Sequence, residues 1–183
     1  MLDDLMKKRD MFCRRAVVAD AGAIAQVQVD SWRAAYKELL PADFLANLSV
    51  SQWSRMWEHL FVAESGRSAT FVAGYEDAIQ GFASVGPARA VDLELNWGEL
   101  FAIYVDQAVW GGGIGYQLLQ TSCTFLEQAE YEQGVLWVLD GNDRAMRFYE
   151  RYGFVKDRSP NGIKLDQLAD IPVRELRYQL SFA

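Results

Sequence analysis

A cluster of glycines near the middle of the chain is the strongest candidate for a chemical site. Gly111, Gly112, Gly113 and Gly115 fall within the stretch "VDQAVWGGGIGYQLL", between an apolar run and a helix-like run. Glycine is costly in regular secondary structure, so a cluster indicates that the backbone turns sharply or that something approaches it closely. The loop is therefore either a plain strand-to-helix turn or a site that holds a ligand against bare backbone.

Two well-known phosphate-binding motifs do not fit these glycines. A Walker A loop ends in Gly-Lys-Ser/Thr, and no such run is present here. The dinucleotide fingerprint GxGxxG also fails, because its last position is Tyr116 when counted from Gly111 and Leu118 when counted from Gly113. What remains is a strand, a glycine turn and a helix N-terminus, whose free N–H groups and dipole suit an anion such as a pyrophosphate.

A second pattern follows another strand-like run. The stretch "NDRAMRFYERYGF", residues 142–154, matches the spacing Asn-x-x-Ala-x-x-Phe-Tyr-x-x-x-Gly-Phe. Together the two stretches resemble the GNAT family of N-acetyltransferases, whose coenzyme loop runs Arg/Gln-x-x-Gly-x-Gly/Ala after a central strand. On this sequence Trp110 takes the Arg/Gln position, and Gly113 and Gly115 take the two invariant positions. The run "SWRAAYKELLP", residues 31–41, also resembles a stretch common in a bacterial branch of the family.

The resemblance implies that acetyl-CoA is the cofactor, with no metal. The amides of residues 111–115 would surround the pyrophosphate, and the pantetheine arm would pair with β-strand backbone around residues 103–105. Two departures stand out: Trp110 replaces the usual basic or amide side chain, and Gly112 occupies a position where Lys or Arg is frequent. Phosphate binding would then rest mostly on backbone N–H groups and the helix dipole. The coenzyme-binding residues implied are Ile103, Tyr104, Val105, Trp110, Gly111, Gly112, Gly113, Ile114, Gly115 and Asn142.

The catalytic residues are inferred from the same resemblance. In the family a tyrosine of the second motif protonates the leaving sulfur, and its match is Tyr149; the alternative is a core tyrosine on an amphipathic helix. The oxyanion would be held by a backbone N–H near Tyr104 or Val105. Some members carry a glutamate eleven residues before the Arg/Gln position, where Glu99 stands, and it would act as the base through a water. The alternative for Glu99 is a solvated acid at a strand end.

Aromatic residues of the N-terminal helices lie, by the same resemblance, on the acceptor side. Trp32 and Tyr36 are the predicted substrate-binding residues, since an aromatic wall suits a cationic amine. Core packing is the alternative for such residues. Asn142 is expected to cap its helix as well as contact the coenzyme.

These residues predict an acetyl-CoA-dependent N-acetyltransferase that acts on a primary amine of a small molecule by direct attack in a ternary complex. One alternative is a non-catalytic acyl-CoA sensor or regulatory module. Another is a protein acetyltransferase that modifies lysine or an N-terminus, which would need an open groove. Family members often pair, so a homodimer is also expected.

Composition excludes several other classes of protein. The chain has 183 residues, of which 51% are hydrophobic and 23% charged, as in globular proteins. A net charge of −7 counts against binding to nucleic acid. No apolar run is long enough to span a membrane, and the first residues lack the apolar segment of a signal peptide. Two cysteines and one histidine, His59, argue against a disulfide framework and a multi-histidine metal site. A cytoplasmic location is expected.

The order of apolar patterns predicts a mixed α/β fold. Strands are expected at residues 12–18, 69–75, 79–85, 98–105, 135–139 and 173–180. A helix should begin at Asp20, a second helical region should follow Pro41 and continue to Ala63, and further helices should follow Gly113 and Asn142. The resemblance adds a central, mostly antiparallel sheet with a splayed β4/β5 pair, flanked by helices. Residues 12–183 would form one N-acetyltransferase domain, after an N-terminal extension at residues 1–11.

Overall fold

A computed structural model describes residues 10–63 and 66–182 of the chain. Within these residues, eight strands pair into one sheet. The strands lie in the order β1-β2-β3-β4-β5-β8-β6, and β7 also pairs with β8. The strands are β1 (Met11–Arg15), β2 (Ala69–Tyr75), β3 (Ala78–Pro87), β4 (Trp97–Val105), β5 (Gln133–Leu139), β6 (Val155–Lys156), β7 (Ile163–Leu168) and β8 (Ile171–Ser181). The helices are α1 (Ala21–Ala35), α2 (Ala42–Ala46), α3 (Val50–Ala63), α4 (Ile114–Gln128) and α5 (Asp143–Tyr152).

The sheet is antiparallel except between β4 and β5, which run parallel. Their ladder joins Trp97 to Gln133 at one end and Leu100 to Leu136 at the other, and then stops. Beyond Leu100 the two strands diverge, while β4 stays paired with β3 as far as Val105. The predicted mixed α/β fold with a splayed β4/β5 pair is therefore confirmed.

The central strand β4 separates two apolar layers. Ile103 and Val105 pack with the core that α4 and α5 cover, whereas Ala102 and Tyr104 pack with the core that α1 and α3 cover. This alternation follows from the two-residue period of a strand, which sends successive side chains to opposite faces. The nearly continuous apolar sequence of β4 reflects burial on both sides.

Several predicted elements differ in detail from the observed ones. The helical region before residue 63 contains a break at residues 47–49, which separates the short α2 from α3. Strands β6 and β7 were not predicted, because their side chains are almost all exposed and so carry little hydrophobic signal. The predicted N-terminal extension falls mainly on residues 1–9, which lie outside the described residues, and β1 begins one residue earlier than predicted, at Met11.

Asp20 stands at the predicted start of α1, but its side chain does not cap that helix. A short 3₁₀ turn precedes the helix, and the Asp20 carboxylate accepts a hydrogen bond from the Val17 N–H at 2.8 Å. It also accepts two bonds from the Arg14 guanidinium, at 2.7 and 2.9 Å. Arg14 lowers the pKa of Asp20 against the opposing effect of burial. Asp20 therefore ties β1 to the entry of α1.

Among the described helices, none combines the length and the apolar composition that crossing a bilayer would require.

Candidate active site

A cleft of about 530 Å³ opens where β4 and β5 diverge. Its walls come from the last residues of α1, from β4, from the glycine loop and from one face of α5. This volume is in the range of sites that hold small-molecule ligands. The divergence of β4 and β5 matters for function, because it leaves one edge of β4 facing the cavity without a partner strand.

The backbone of β4 presents hydrogen-bonding groups to this cleft. The Asp106 N–H donates to the Gln80 carbonyl at 2.8 Å, just past the end of the β3–β4 ladder. Because antiparallel bonding groups alternate along a strand, the N–H and C=O of Tyr104 point to β3, whereas those of Ile103 and Val105 point to the cleft. The oxyanion donor was predicted near Tyr104 or Val105, and this alternation favours Val105.

The Val105 carbonyl is already engaged. It accepts a hydrogen bond from the Ser31 hydroxyl of α1 at 3.1 Å and another from the Trp110 indole Nε1–H at 2.7 Å. Both lone-pair directions of the carbonyl are therefore used by side chains. For a ligand lying along β4, the Val105 N–H and the backbone groups of Ile103 remain on this edge.

The glycine loop exposes bare backbone at the mouth of the cleft. Gly111 and Gly113 have φ angles of +81° and +94°, which favour glycine over other residues, and a Cβ at either position would meet no atom within 4 Å. Gly113 is the N-cap of α4 and has no side-chain cap. The Gln117 N–H bonds to the Gly113 carbonyl, so the N–H groups of residues 114–116 have no acceptor within the helix. This arrangement fits the diphosphate of a coenzyme.

The loop is fixed from below by Tyr75. Its hydroxyl donates to the Gly112 carbonyl, and this contact joins the end of β2 to the loop. A Cβ at Gly112 would lie 3.1 Å from the Val109 carbonyl and 3.3 Å from the Tyr75 hydroxyl oxygen. The Lys or Arg that is frequent at this position in the family would therefore be crowded here.

Helix α5 brings Asn142 and Tyr149 to the cleft. The Asn142 side chain accepts a hydrogen bond from the Ala145 N–H at 3.2 Å and caps α5, as predicted. Gly153, with φ of +120°, ends the helix. Tyr149 is only 8% exposed and lines the cleft, and its hydroxyl makes no hydrogen bond with the described residues. Burial raises the pKa of Tyr149, and the neighbouring Tyr104 raises it further, so the phenol stays neutral.

Two further tyrosines lie at the inner end of the cleft. The hydroxyl oxygens of Tyr36 and Tyr104 are 3.4 Å apart, and both residues line the cavity. Burial is the main cause that raises the pKa of each. Trp32 stands behind them: its ring packs edge-on against Tyr36, with centroids 5.5 Å apart, and it is not among the residues that line the cleft. The structure thus places Tyr36 in the cavity and Trp32 in the supporting core.

Glu99 lies elsewhere. Its side chain is 2% exposed, and Arg89 binds both carboxylate oxygens, through its backbone N–H at 2.9 Å and through its guanidinium. Glu99 does not line the cleft, although the next residue, Leu100, does. It is also not the solvated strand-end acid considered as the alternative.

Comparison with known proteins decides the family. A sequence model of the acetyltransferase (GNAT) family matches residues 29–154, which include the inner end of α1, all of β4, the glycine loop and α5. The chain belongs to the GNAT acetyltransferase family. An uncharacterized N-acetyltransferase of Bacillus subtilis (strain 168), YuaI, is 32% identical to this acetyltransferase over 170 residues, which are 89% of this chain and 88% of YuaI.

Solved structures share the fold of the acetyltransferase at low sequence identity. The PaiA N-acetyltransferase of Thermoplasma acidophilum, solved in complex with coenzyme A, is 16% identical with a TM-score of 0.71 and covers 92% of this chain and 99% of its own. YncA of Salmonella typhimurium, solved with its cofactor acetyl-CoA, is 18% identical with a TM-score of 0.68, at 94% coverage of both chains. Both of these neighbours thus hold the coenzyme in the same fold. Within the described residues, no group of three or more His, Cys, Asp or Glu side chains is placed to hold a metal ion.

The structure adds cleft residues that sequence reasoning missed. Arg144 and Arg151 of α5 both line the cavity of the acetyltransferase, as do Trp137 of β5 and Ser31 of α1. The two arginines are seven residues apart, so two turns of helix put them on one face with Phe148. That spacing was visible in the sequence and could have identified them.

Proposed function

We propose that this acetyltransferase transfers the acetyl group of acetyl-CoA to a primary amine of a small molecule, by direct attack in a ternary complex. The observation that supports a small acceptor is the inner end of the cleft. Tyr36 and Tyr104 close it, and behind them α1, α2 and α3 supply a buried aromatic cluster that contains Trp32 and Trp53. Such an end offers a pocket for one amine more readily than a groove for a peptide.

The low polarity of this pocket favours the reactive form of the amine. An alkyl ammonium has a pKa near 10.4 in water and must lose its proton before it attacks. Desolvation penalises the charged form, so a pocket whose burial raises the pKa of Tyr36 also lowers the pKa of a bound ammonium. The site itself therefore assists deprotonation of the acceptor.

Each protein group then has one role in this proposal. The backbone groups of Ile103, which β3 does not bond, orient the acetyl-bearing arm, and the Val105 N–H stabilises negative charge on the acetyl oxygen. As the C–S bond breaks, the neutral phenol of Tyr149 gives its proton to the departing sulfur, and the phenolate recovers a proton from the nitrogen that has formed the new C–N bond. The amides of residues 111–116 hold the diphosphate at the start of α4. The role of Glu99 as a base stays a prediction, and its ion pair with Arg89 favours a structural role instead.

The test is an acetyl-transfer assay on the purified protein. Free thiol released from acetyl-CoA is measured with a panel of small primary amines, polyamines and aminoglycosides, and separately with lysine-containing and free N-terminal peptides. We expect release with at least one small amine. Release with peptides alone would make the chain a protein acetyltransferase. Tight binding of acetyl-CoA with no release on any acceptor would instead make it a sensor. The cytoplasmic location and the homodimer stay predictions, and the mass in solution tests the latter.

A further inference from the structure

Trp110 occupies the loop position where the family motif carries Arg or Gln, and its side chain has a defined place. The indole Nε1–H donates to the Val105 carbonyl at 2.7 Å, which fixes the ring at the end of β4. The ring then forms part of the cleft wall beside the glycines. A side chain that bonds inward in this way does not itself supply charge to a ligand.

Arg144 lies directly on this ring. Its guanidinium carbon is 3.0 Å from the centroid of the Trp110 ring, a cation–π contact between the first turn of α5 and the glycine loop. A planar guanidinium stacks well on an aromatic face, and the stack restricts its orientation. Arg144 also lines the cleft and makes no ion pair or hydrogen bond with any residue in the described ranges. The stack therefore leaves the N–H groups of the guanidinium free to meet an anion.

The location of Arg144 is electrostatically unfavourable for the isolated protein. It is the second residue of α5 after the Asn142 cap, and the positive end of a helix dipole disfavours a cation there. A residue that conflicts with its local environment in this way points to a function that offsets the cost. An anion bound in the cleft would do so.

The glycine loop also lacks a cation of its own. Residues 106–116 contain no Lys or Arg, and Asp106 adds a negative charge. The amides of α4 therefore face the diphosphate without a charged partner from the loop.

We propose that Arg144, held in place by Trp110, binds the diphosphate of coenzyme A and supplies the charge that the loop lacks. The proposal rests on the coenzyme lying in this cleft. Trp110 is then a positioning residue. In place of a charged side chain, the loop carries an aromatic ring, and that ring holds the guanidinium of Arg144 from α5. The two departures from the family motif, Trp110 and Gly112, become parts of one arrangement.

The experiment measures binding of CoA and of 3′-dephospho-CoA by isothermal titration calorimetry, without catalysis. Arg144→Gln should raise the Kd for both ligands by the same factor, about tenfold, because a charge-assisted contact to the diphosphate is lost. Arg147→Gln is the matched control, since Arg147 is an exposed arginine of the same helix that does not line the cleft, and its Kd should match wild type. Circular dichroism and thermal melting confirm that each variant is folded.

A thermodynamic cycle tests the platform. If Trp110 positions Arg144, then Arg144→Gln should have a much smaller effect on Kd in a Trp110→Leu background than in wild type. Additive effects of the two substitutions would overturn the positioning role. A wild-type Kd for Arg144→Gln would overturn the Arg144 assignment alone, and a loss seen with CoA but not with dephospho-CoA would overturn the diphosphate assignment. A wild-type protein that binds no CoA would overturn the coenzyme site as well.

Discussion

Tyr149→Phe separates chemistry from binding and folding. The substitution removes one hydroxyl and keeps the ring that packs between Phe148 and Phe154, with centroids at 5.4 and 6.1 Å. That hydroxyl makes no hydrogen bond to the described protein and faces the cleft. We therefore expect the free energy of unfolding to change by less than about 1 kcal/mol, because no internal partner is left unsatisfied.

The expected loss of turnover follows from the environment of the phenol. General acid catalysis contributes about 10²–10⁴-fold to a rate. An ordinary phenol of pKa near 10 already gives its proton uphill to a thiolate whose conjugate acid is near 8.5. Because burial raises the pKa of Tyr149, this proton transfer is still less favourable, and the rate gain must come from holding the phenol close to the sulfur. We expect kcat to fall about 100-fold, at the lower end of the range, with Kd for CoA unchanged.

The pH dependence has a definite sign. A general acid works when protonated, and a pKa raised by burial keeps Tyr149 protonated as pH increases. Its deprotonation should therefore cause no fall in kcat between pH 7 and about 10. The assay is steady-state release of thiol across this range, with Tyr131→Phe, a tyrosine away from the cleft, as the control. An unchanged kcat in Tyr149→Phe would refute the role of Tyr149 as the acid. A fall in wild-type kcat between pH 7 and about 10 that is absent in Tyr149→Phe would refute the claim that burial raises the pKa of Tyr149.

Three ion pairs, two of them made by Arg177, give further predictions. Arg177 is 4% exposed and binds Asp157 and Asp92 at 2.7 and 2.8 Å, so Arg177→Met should lower the free energy of unfolding by about 3 kcal/mol and Tm by roughly 6–12 °C. Burial alone would raise the pKa of Asp157, but its hydrogen bonds, including that from Arg177, lower it overall. The stability that Asp157 contributes is thus present above about pH 4 and is lost as pH falls through its lowered pKa. In urea unfolding, the free energy of unfolding of Arg177→Met should therefore decrease less at acid pH than that of wild type. Glu99→Gln and Arg89→Gln should both lower Tm and leave unchanged the fall of the rate at acid pH. If that acid dependence disappears in Glu99→Gln alone, Glu99 is the general base after all.

The parts of the site that depend on local chemistry were predictable from the sequence. The glycine loop was found because positive φ angles and an uncapped helix start impose their own residue types on a short segment. The cap by Asn142 and the end of α5 at Gly153 follow the same logic. Each of these features is decided within about one turn of chain, so the spacing of residues carries the information.

The parts that depend on tertiary contacts were not predictable. Glu99 matched a spacing along the chain, but its environment is set by Arg89 in the loop before β4, a segment without periodicity. The contact between Arg144 and Trp110 joins two segments separated by β5 and α4, and nothing local to either residue indicates it. Strands β6 and β7 escaped detection because exposed edge strands lack the apolar alternation that marks buried ones.

The doubly engaged carbonyl of Val105 links the two halves of the cleft through a single atom. Ser31 reaches it from α1, and Trp110 reaches it from the glycine loop. A substitution that shifts α1 to admit a different acceptor would therefore disturb the anchor of Trp110. We therefore expect substitutions that change acceptor preference to change coenzyme affinity as well. A directed-evolution experiment for new amines should accumulate compensating changes in the glycine loop alongside those in α1.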